Sequence, residues 1–374
     1  MAATDRSAAD GQTAREFPAF RFAGTHRQLG RQYGESCGDL IARHLVHAFD
    51  RLTAMGGDPD RALAQSSAYR SHVAGRAPWL DEEIRGVAEG ADLSLEEAYV
   101  LQLRAELLEE QRRAADTDGC TTFAILPDVT ADGIGMAGQN ADLPAFYSDI
   151  GVVVNLIPDD APEVLIWTPA GQVSYIGLSA TGMAAFGNFL YCGGWRTGFP
   201  RYLLTRMAMT CRSVTQAADL LDGLQRASSR NVLLLDGAGD ALDLETTPST
   251  VGRVHPSDGV LTHTNHFIAD EVAHLQDADA SSLADSRARL DRIRELIAAD
   301  RGHLTLEHMK RFFGDRHGVP RCLSRHVADG DPTDVTVASV IARPAAGTLH
   351  VAVGPPDEHR YVDHRLQSTR EPAR

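Results

Sequence analysis

Between about residues 26 and 114 the apolar positions recur every three or four residues, as in HRQLGRQYGESCGDLIARHLVHAF, and this period predicts helices. The stretch LDEEIRGVAEGADLSLEEAYVLQLRAELL predicts two helices parted at Gly90. Ser94, with Glu97 three residues on, predicts a capping box at the start of the second. From Cys120 the pattern changes to short β-rich runs. TTFAILP and GIGMAGQ flank DVTAD, IGVVVNLIP and EVLIWTP flank DDAP, and QVSYIGLS and MAAFGNF flank ATG. Such pairs predict three hairpins in series and antiparallel sheets. Helices are predicted at about 199–211 and 214–225, and a hairpin of NVLLLD and ALDLETT around GAGD. GVLTHTN predicts one more strand, 281–299 and 304–314 predict helices, and VTVASVIA with TLHVAVG predicts a closing hairpin. Strands and helices segregated in this way imply an α+β layered fold. The chain then divides into a disordered lead-in (1–16), a mainly helical segment (17–119), a core (120–360) and a polar tail (361–374).

Composition narrows the function classes. The 374 residues carry 51 acidic against 36 basic side chains, a net charge of −15, and no basic run, which argues against nucleic-acid binding. The only lysine is Lys310. No apolar run approaches the ~18 residues of a membrane helix, and the first 20 residues lack a signal-peptide core. Five scattered cysteines, Cys37, Cys120, Cys192, Cys211 and Cys322, do not form a disulfide framework, so a reducing cytoplasm is the expected location.

The helix-to-strand boundary falls at Gly119-Cys120. A thiol there is placed to attack the Gly119 carbonyl. Hydrolysis of the resulting thioester would leave Cys120 as a new N-terminus. Its α-amine, with a pKa of about 7.7–8.0, would then serve as base to its own thiol. A cysteine in a strand is also commonly just a small buried side chain, and both readings stand on this argument alone. A first hairpin turning about residue 131 would put Cys120 opposite Asp142, whose carboxylate could then orient the α-amine. Asn265 in HTNH reads equally as a strand-end cap, and Arg325 as part of an exposed basic cluster. Two rivals use histidine. His263 and His266 offer an HxxH spacing for a metal-binding hydrolase, but positions three apart on a strand face opposite ways. His263 or His266 could instead act as base in a Cys–His pair.

Asp118 to Thr122 (DGCTT), with Gly138 to Asp142 (GQNAD), resembles the isopenicillin-N acyltransferase family, also called acyl-coenzyme A:aminopenicillanate acyltransferases. His263 to His266 (HTNH), Pro320 to Arg325 (PRCLSR), VTVASVIARP, the later VGPP and EEIRGVAEGADLSLEEA extend the resemblance over about residues 22–356. The resemblance implies a four-layer αββα sandwich of the Ntn-hydrolase type. It implies self-cleavage between Gly119 and Cys120, leaving a heterodimer of 1–119 and 120–374 that acts on a small-molecule amide. Cys120 would be nucleophile, Asp142 would orient the α-amine, Asn265 would donate to the oxyanion, and Arg325 would stand near the nucleophile. Asn188, Thr121, Thr122 and His263 are candidate oxyanion or substrate contacts, Asn188 as a second oxyanion donor and one of the threonines as a hydrogen-bond partner at the scissile site. The chain departs from the penicillin-making members at Arg321, Cys322, Leu323 and Ser324, and at Ala141. These departures count against penicillin substrates. No cofactor is expected, and hydrolysis is favoured over transfer; coenzyme A thioester would be the acyl donor only in a transfer. The aromatic, glycine-rich loop 189–200 is a candidate pocket wall. The alternative within the same fold is an uncleaved scaffold or binding protein.

Overall fold

The computed structural model describes residues 15–104, 106–108, 119–327 and 334–367. Asp118, most of the proposed lead-in and the last seven residues lie outside them. A first strand, β1 (Ala19–Gly24), precedes helices α1 (His26–Ala54), α2 (Pro59–Arg76), α3 (Pro78–Gly90) and α4 (Leu95–Gln102). Ser94 caps α4 in a full capping box with Glu97. There follow β2 (Cys120–Ile125), β3 (Met136–Leu143), β4 (Gly151–Pro158), β5 (Val164–Pro169), β6 (Ile176–Ser179) and β7 (Ala184–Phe186). Next come α5 (Leu203–Ala208), α6 (Val214–Asp222), β8 (Arg230–Leu235), β9 (Ala241–Thr246), β10 (Val251–Val254) and β11 (Val260–His263). The chain ends with α7 (Ala280–Ala299), α8 (Leu306–Phe313), β12 (Val335–Arg343), β13 (Thr348–Val353) and β14 (Val362–Arg365).

The strands form two sheets, ordered β1-β4-β5-β6-β7-β8-β9-β10 and β11-β2-β3-β12-β13-β14. Every neighbouring pair is antiparallel except β1 with β4, which is parallel. Alternate residues of each strand face opposite sides, and on the inner strands β2 to β9, β12 and β13 both sides are almost wholly buried. Val153, Leu165, Trp167, Leu233 and Leu235 of the first sheet meet Ala124, Ala137, Ala141, Val340 and Ala342 of the second in one core. Val152, Val154, Ile166, Val232 and Leu234 face the other way, against residues of α1, α3, α4, α5 and α6. Phe123, Ile125 and Ile341 pack against Ile293, Met309, Phe312 and Phe313 of α7 and α8. The layers therefore run α, β, β, α. Double burial explains why the strands read as continuous apolar runs.

The mainly helical segment 17–119 also gives the first sheet one strand, β1. Two expectations need correction. The residues after 360 are not only a tail, because β14 pairs with β13 at the second sheet's edge. At the other end Arg15 pairs with Asp149 and Glu16 with Arg360, so these two belong to the folded body. β10, absent from the sequence prediction, extends the first sheet beyond β9.

Candidate active site

Cys120 opens β2, a central strand of the second sheet. Even-numbered positions of β2 face the inter-sheet core, as Ala124 does, so the Cys120 side chain lies between the sheets. Its partner across the hairpin is Ala141, not Asp142. The turn uses a short 3-10 segment, Pro127–Val129, and moves the register one residue from that predicted. A one-residue slip reverses the face of every side chain. Asp142 therefore approaches through its backbone, its N–H donating to Gly119 O at 2.9 Å. Its carboxylate accepts from Thr336 Oγ1 at 2.7 Å and lies 3.4 Å from Arg325 Nε.

The Cys120 nitrogen donates to Asn265 Oδ1 at 2.8 Å. Asn265 Nδ2 donates to Phe189 O at 3.1 Å, so the side-chain oxygen, rather than the amide nitrogen, meets the nucleophile's residue. Asn188 Nδ2 and Arg289 Nη1 donate to the Cys120 carbonyl, at 3.0 and 2.6 Å. Arg289 Nη2 also donates to Asn265 Oδ1 at 2.9 Å. Thr122 Oγ1 donates to Asn188 Oδ1 at 2.9 Å, and Thr121 Oγ1 accepts from Arg289 at 3.2 Å. Both threonines thus hold site residues rather than open space.

Arg325 is clasped by three carboxylates: Asp142, Asp285 at 2.6 Å and Asp334 at 2.9 Å. Asp334 Oδ2 also accepts from Gly119 N–H at 2.9 Å. A Cβ at position 119 would come within 3.0 Å of both Arg325 Nη1 and Asp334 Oδ2, so the glycine makes room for this pair. Three carboxylates, Asp142, Asp285 and Asp334, face two guanidinium groups, Arg289 and Arg325. Burial pushes Asp142 up to about 6 against the pull of Arg325, and pushes Asp334 well above the carboxylate range. Asp285 moves down, because Arg289 and Arg325 together outweigh its burial. Burial, and then Asp142, pushes the Cys120 thiol up to about 11.

His263 is not at the scissile site. Its Nε2 faces Glu245 Oε1 and its Nδ1 faces Thr264 O, both at 2.7 Å. Burial opposes its charge, but Asp243 and Glu245 prevail and raise its pKa. With both ring nitrogens spent on acceptors, His263 is a structural cation, unsuited to bind metal or to act as base. His266 Nδ1 meets Ser286 Oγ at 2.7 Å, and burial lowers its pKa to about 4.

The structure thus brings Gly119, Cys120, Asp142, Asn188, Asn265 and Arg325 into one hydrogen-bonded cluster. Arg289, Asp285 and Asp334 complete it without having been singled out in the sequence. The one readable signal was Asp285 with Arg289, four apart on a helix. Beside Cys120 lies a narrow cavity of about 10 Å³, walled by Tyr175, Phe189, Arg201, Tyr202 and Arg230. From the loop 189–200, Phe189 lines it directly, and Trp195 stands behind, 5.9 Å from Phe189.

Two face-to-face sheets sheathed by helices, with a buried thiol at the head of a central strand, define the Ntn-hydrolase architecture. Residues 136–358 match the family model described as acyl-coenzyme A:6-aminopenicillanic acid acyl-transferase. That is more than half of the chain, and the chain belongs to this family. The matched segment begins after Cys120. The chain is also 26% identical over 340 residues to the acyl-coenzyme A:6-aminopenicillanic-acid-acyltransferase 40 kDa form of Emericella nidulans, covering 89% of this chain and 92% of that one. Among solved structures it is similar to conjugated bile acid hydrolase from Clostridium perfringens, a variant form, with TM-score 0.45 and 14% identity over 68% of this chain and 99% of that one. Penicillin V acylase from Agrobacterium tumefaciens gives TM-score 0.41 and 13% identity over 63% and 83%. No helix among the described residues is long and apolar enough to cross a membrane.

Proposed function

We propose that this protein is a self-processing amidohydrolase that cleaves small linear amides through an acyl-thioester on Cys120. The observation that carries the reading is the position of the Cys120 nitrogen. It is held by Asn265 at 2.8 Å while its residue lines the cavity. Once freed as an amine, that nitrogen is already oriented by a fixed acceptor.

In processing, Cys120 Sγ attacks the Gly119 carbonyl carbon. The Asp142 N–H on Gly119 O supports the negative charge that develops there. The C–N bond breaks as the thiol proton passes to the Cys120 nitrogen. Water then hydrolyses the thioester to the Gly119 carboxylate and the free thiol. In turnover the α-amine takes the thiol proton, the sulfur attacks the substrate carbonyl, and the C–N bond breaks as that proton passes to the departing amine; water then hydrolyses the acyl-thioester, releasing the acid and restoring the thiol. Asn265 retains a second amide N–H beyond the one given to Phe189, and this is the oxyanion donor. Arg289 and Asn188 fix the Cys120 carbonyl, which orients the whole residue. Hydrolysis is favoured over transfer. Transfer needs a second acceptor pocket, and the cavity beside Cys120, about 10 Å³, has room for about one water molecule, so water is the acceptor. The fragments 1–119 and 120–374 remain a heterodimer, and the substrate is a small molecule.

The test is to trap the intermediate. Short-chain p-nitrophenyl esters, quenched in acid, should add one acyl group to a peptide beginning at Cys120, with a burst of p-nitrophenolate. An equal burst in Cys120→Ala, or the acyl group on another residue, would refute the reading.

A further inference from the structure

The cavity beside Cys120 holds two buried arginines whose hydrogen-bonding capacity is partly unspent. Arg230 is 3% exposed and Arg201 2%. Nε and Nη2 of Arg230 and Nε and Nη1 of Arg201 have no hydrogen-bond partner. Other buried guanidinium groups are tied to carboxylates or backbone carbonyls. Arg206 forks onto Glu83 at 2.8 and 3.1 Å, and Arg226 donates to the carbonyls of Leu221, Asp222 and Thr247. Arg289 has Asp285, and Arg325 has Asp285 and Asp334. Glu106 accepts from the backbone N–H of Arg201 and from Ser228, and neither guanidinium forms an ion pair among the described residues.

Aromatic rings hold both arginines in place. Arg230 lies over Tyr175 and Tyr202, at 5.5 and 4.9 Å. Arg201 lies over Phe189 at 4.3 Å and donates through Nη2 to the Tyr202 hydroxyl at 2.9 Å. Rigid, desolvated guanidinium forks with free N–H groups match a carboxylate, which they can grip at two points. A buried polar group left unmade is costly, so the site is poised for an anion to complete it. Tyr202 agrees: burial opposes its ionisation, yet Arg104, Arg201 and Arg230 together shift its pKa down.

We propose that Arg230 and Arg201 form a carboxylate-recognition subsite beside the nucleophile, which makes the preferred substrate an amide carrying a carboxylate close to its scissile carbonyl. The proposal rests on Cys120 being the nucleophile. The carboxylate belongs to either half of the amide, as in an N-acylated amino acid or the mono-amide of a dicarboxylic acid. Phe189 and Tyr175 supply apolar walls for the stem that bears it.

Affinity alkylation tests the subsite without knowledge of the substrate. The purified protein is treated with iodoacetate or iodoacetamide, and the peptide containing Cys120 is followed by mass. Free thiolates prefer the neutral reagent. Here iodoacetate should modify Cys120 faster, by about tenfold, and Arg230→Gln and Arg201→Gln should each reverse the order. Benzoate should protect Cys120 of the unsubstituted protein from iodoacetamide at concentrations where benzamide does not, a comparison that needs no variant to fold. Preference for iodoacetamide, or equal protection by benzamide, would overturn the subsite and leave the nucleophile standing. No modification of Cys120 by either reagent would overturn both. Glutaryl and valeryl p-nitroanilides, with phenylacetylglycine and its amide, then show which half carries the carboxylate. A lack of preference in both pairs would also overturn the proposal.

Discussion

At the scale of single residues, the intact chain keeps Cys120 quiet. Burial and the nearby Asp142 push its thiol up to about 11, and its nitrogen is a peptide nitrogen with no basicity to lend. Only cleavage supplies a base. Asn265 is the residue whose loss should separate binding from chemistry. Asn265→Ala should lower kcat by about 10²–10³-fold, the usual cost of one oxyanion donor, with little change in KM. A rise in KM alone, or an unchanged kcat, would contradict that role. Gly119→Ala should accumulate uncleaved chain, because the added Cβ, 3.0 Å from Arg325 Nη1 and Asp334 Oδ2, crowds that pair; gel analysis of freshly purified protein reads this directly. Cys120, Asp142, Asn265 and Arg325 were legible because short motifs carried them. Asp334, Asp285 and Arg289 were not, because their roles depend on where α7 and the start of β12 come to rest. The register of Asp142 was misjudged for a local reason: the turn between β2 and β3 pairs Cys120 with Ala141, one residue away.

At the scale of elements, α1 and α3 approach so closely that glycines must line the contact. A Cβ at Gly30 would lie 1.9 Å from Glu83 O, and one at Gly86 2.2 Å from Arg27 O. Gly34 and Gly90 repeat the arrangement one turn further on. Gly30→Ala should therefore destabilise the protein by about 1–3 kcal/mol, the usual cost of overpacking, as read by urea unfolding. An unchanged midpoint would show that the helices separate freely. The helical period of these segments was readable, but the glycine contact was not, since no periodicity says which two helices touch. β1, β10 and β14 were missed for a related reason. They are short edge or near-edge strands whose identity comes from a neighbour. α1 also carries a pH-sensitive group. His44 is buried, its Nδ1 at 2.7 Å from Ala170 O, and burial lowers its pKa from 6.5 to about 4. Below pH 6.5 the unfolded chain takes up this proton and the folded chain resists it. Stability is therefore fully present above about 6.5 and declines as pH falls toward 4, by roughly 3 kcal/mol from this group. His44→Gln should flatten that part of the stability–pH curve; an unaltered slope would assign the acid sensitivity elsewhere.

At the scale of the whole molecule, the bond proposed to break joins two parts that already share a core. The helices of the first part cover the outer face of the first sheet, and β1 is one of its strands. Buried polar contacts cross the same boundary. Glu83 pairs with Arg206, Tyr33 Oη accepts from Gly171 N–H at 3.0 Å, and Gln102 bonds both Gly171 O and Val173 N–H. Cutting after Gly119 would therefore free an amine without dismantling the fold, and the pieces should separate only when the protein unfolds. The α+β layering was legible from the order of helical and strand periods alone. The stacking of the layers needed the family resemblance, because alternation within a strand shows that both faces are buried but not by what. The central claim concerns one bond, and the mass of the purified protein under denaturing conditions tests it most directly. The account predicts two fragments, residues 1–119 and residues 120–374, the second beginning CTTFAIL, and a single uncut chain for Cys120→Ala. A cut at any other bond, or a fully active protein that remains uncut, would contradict it.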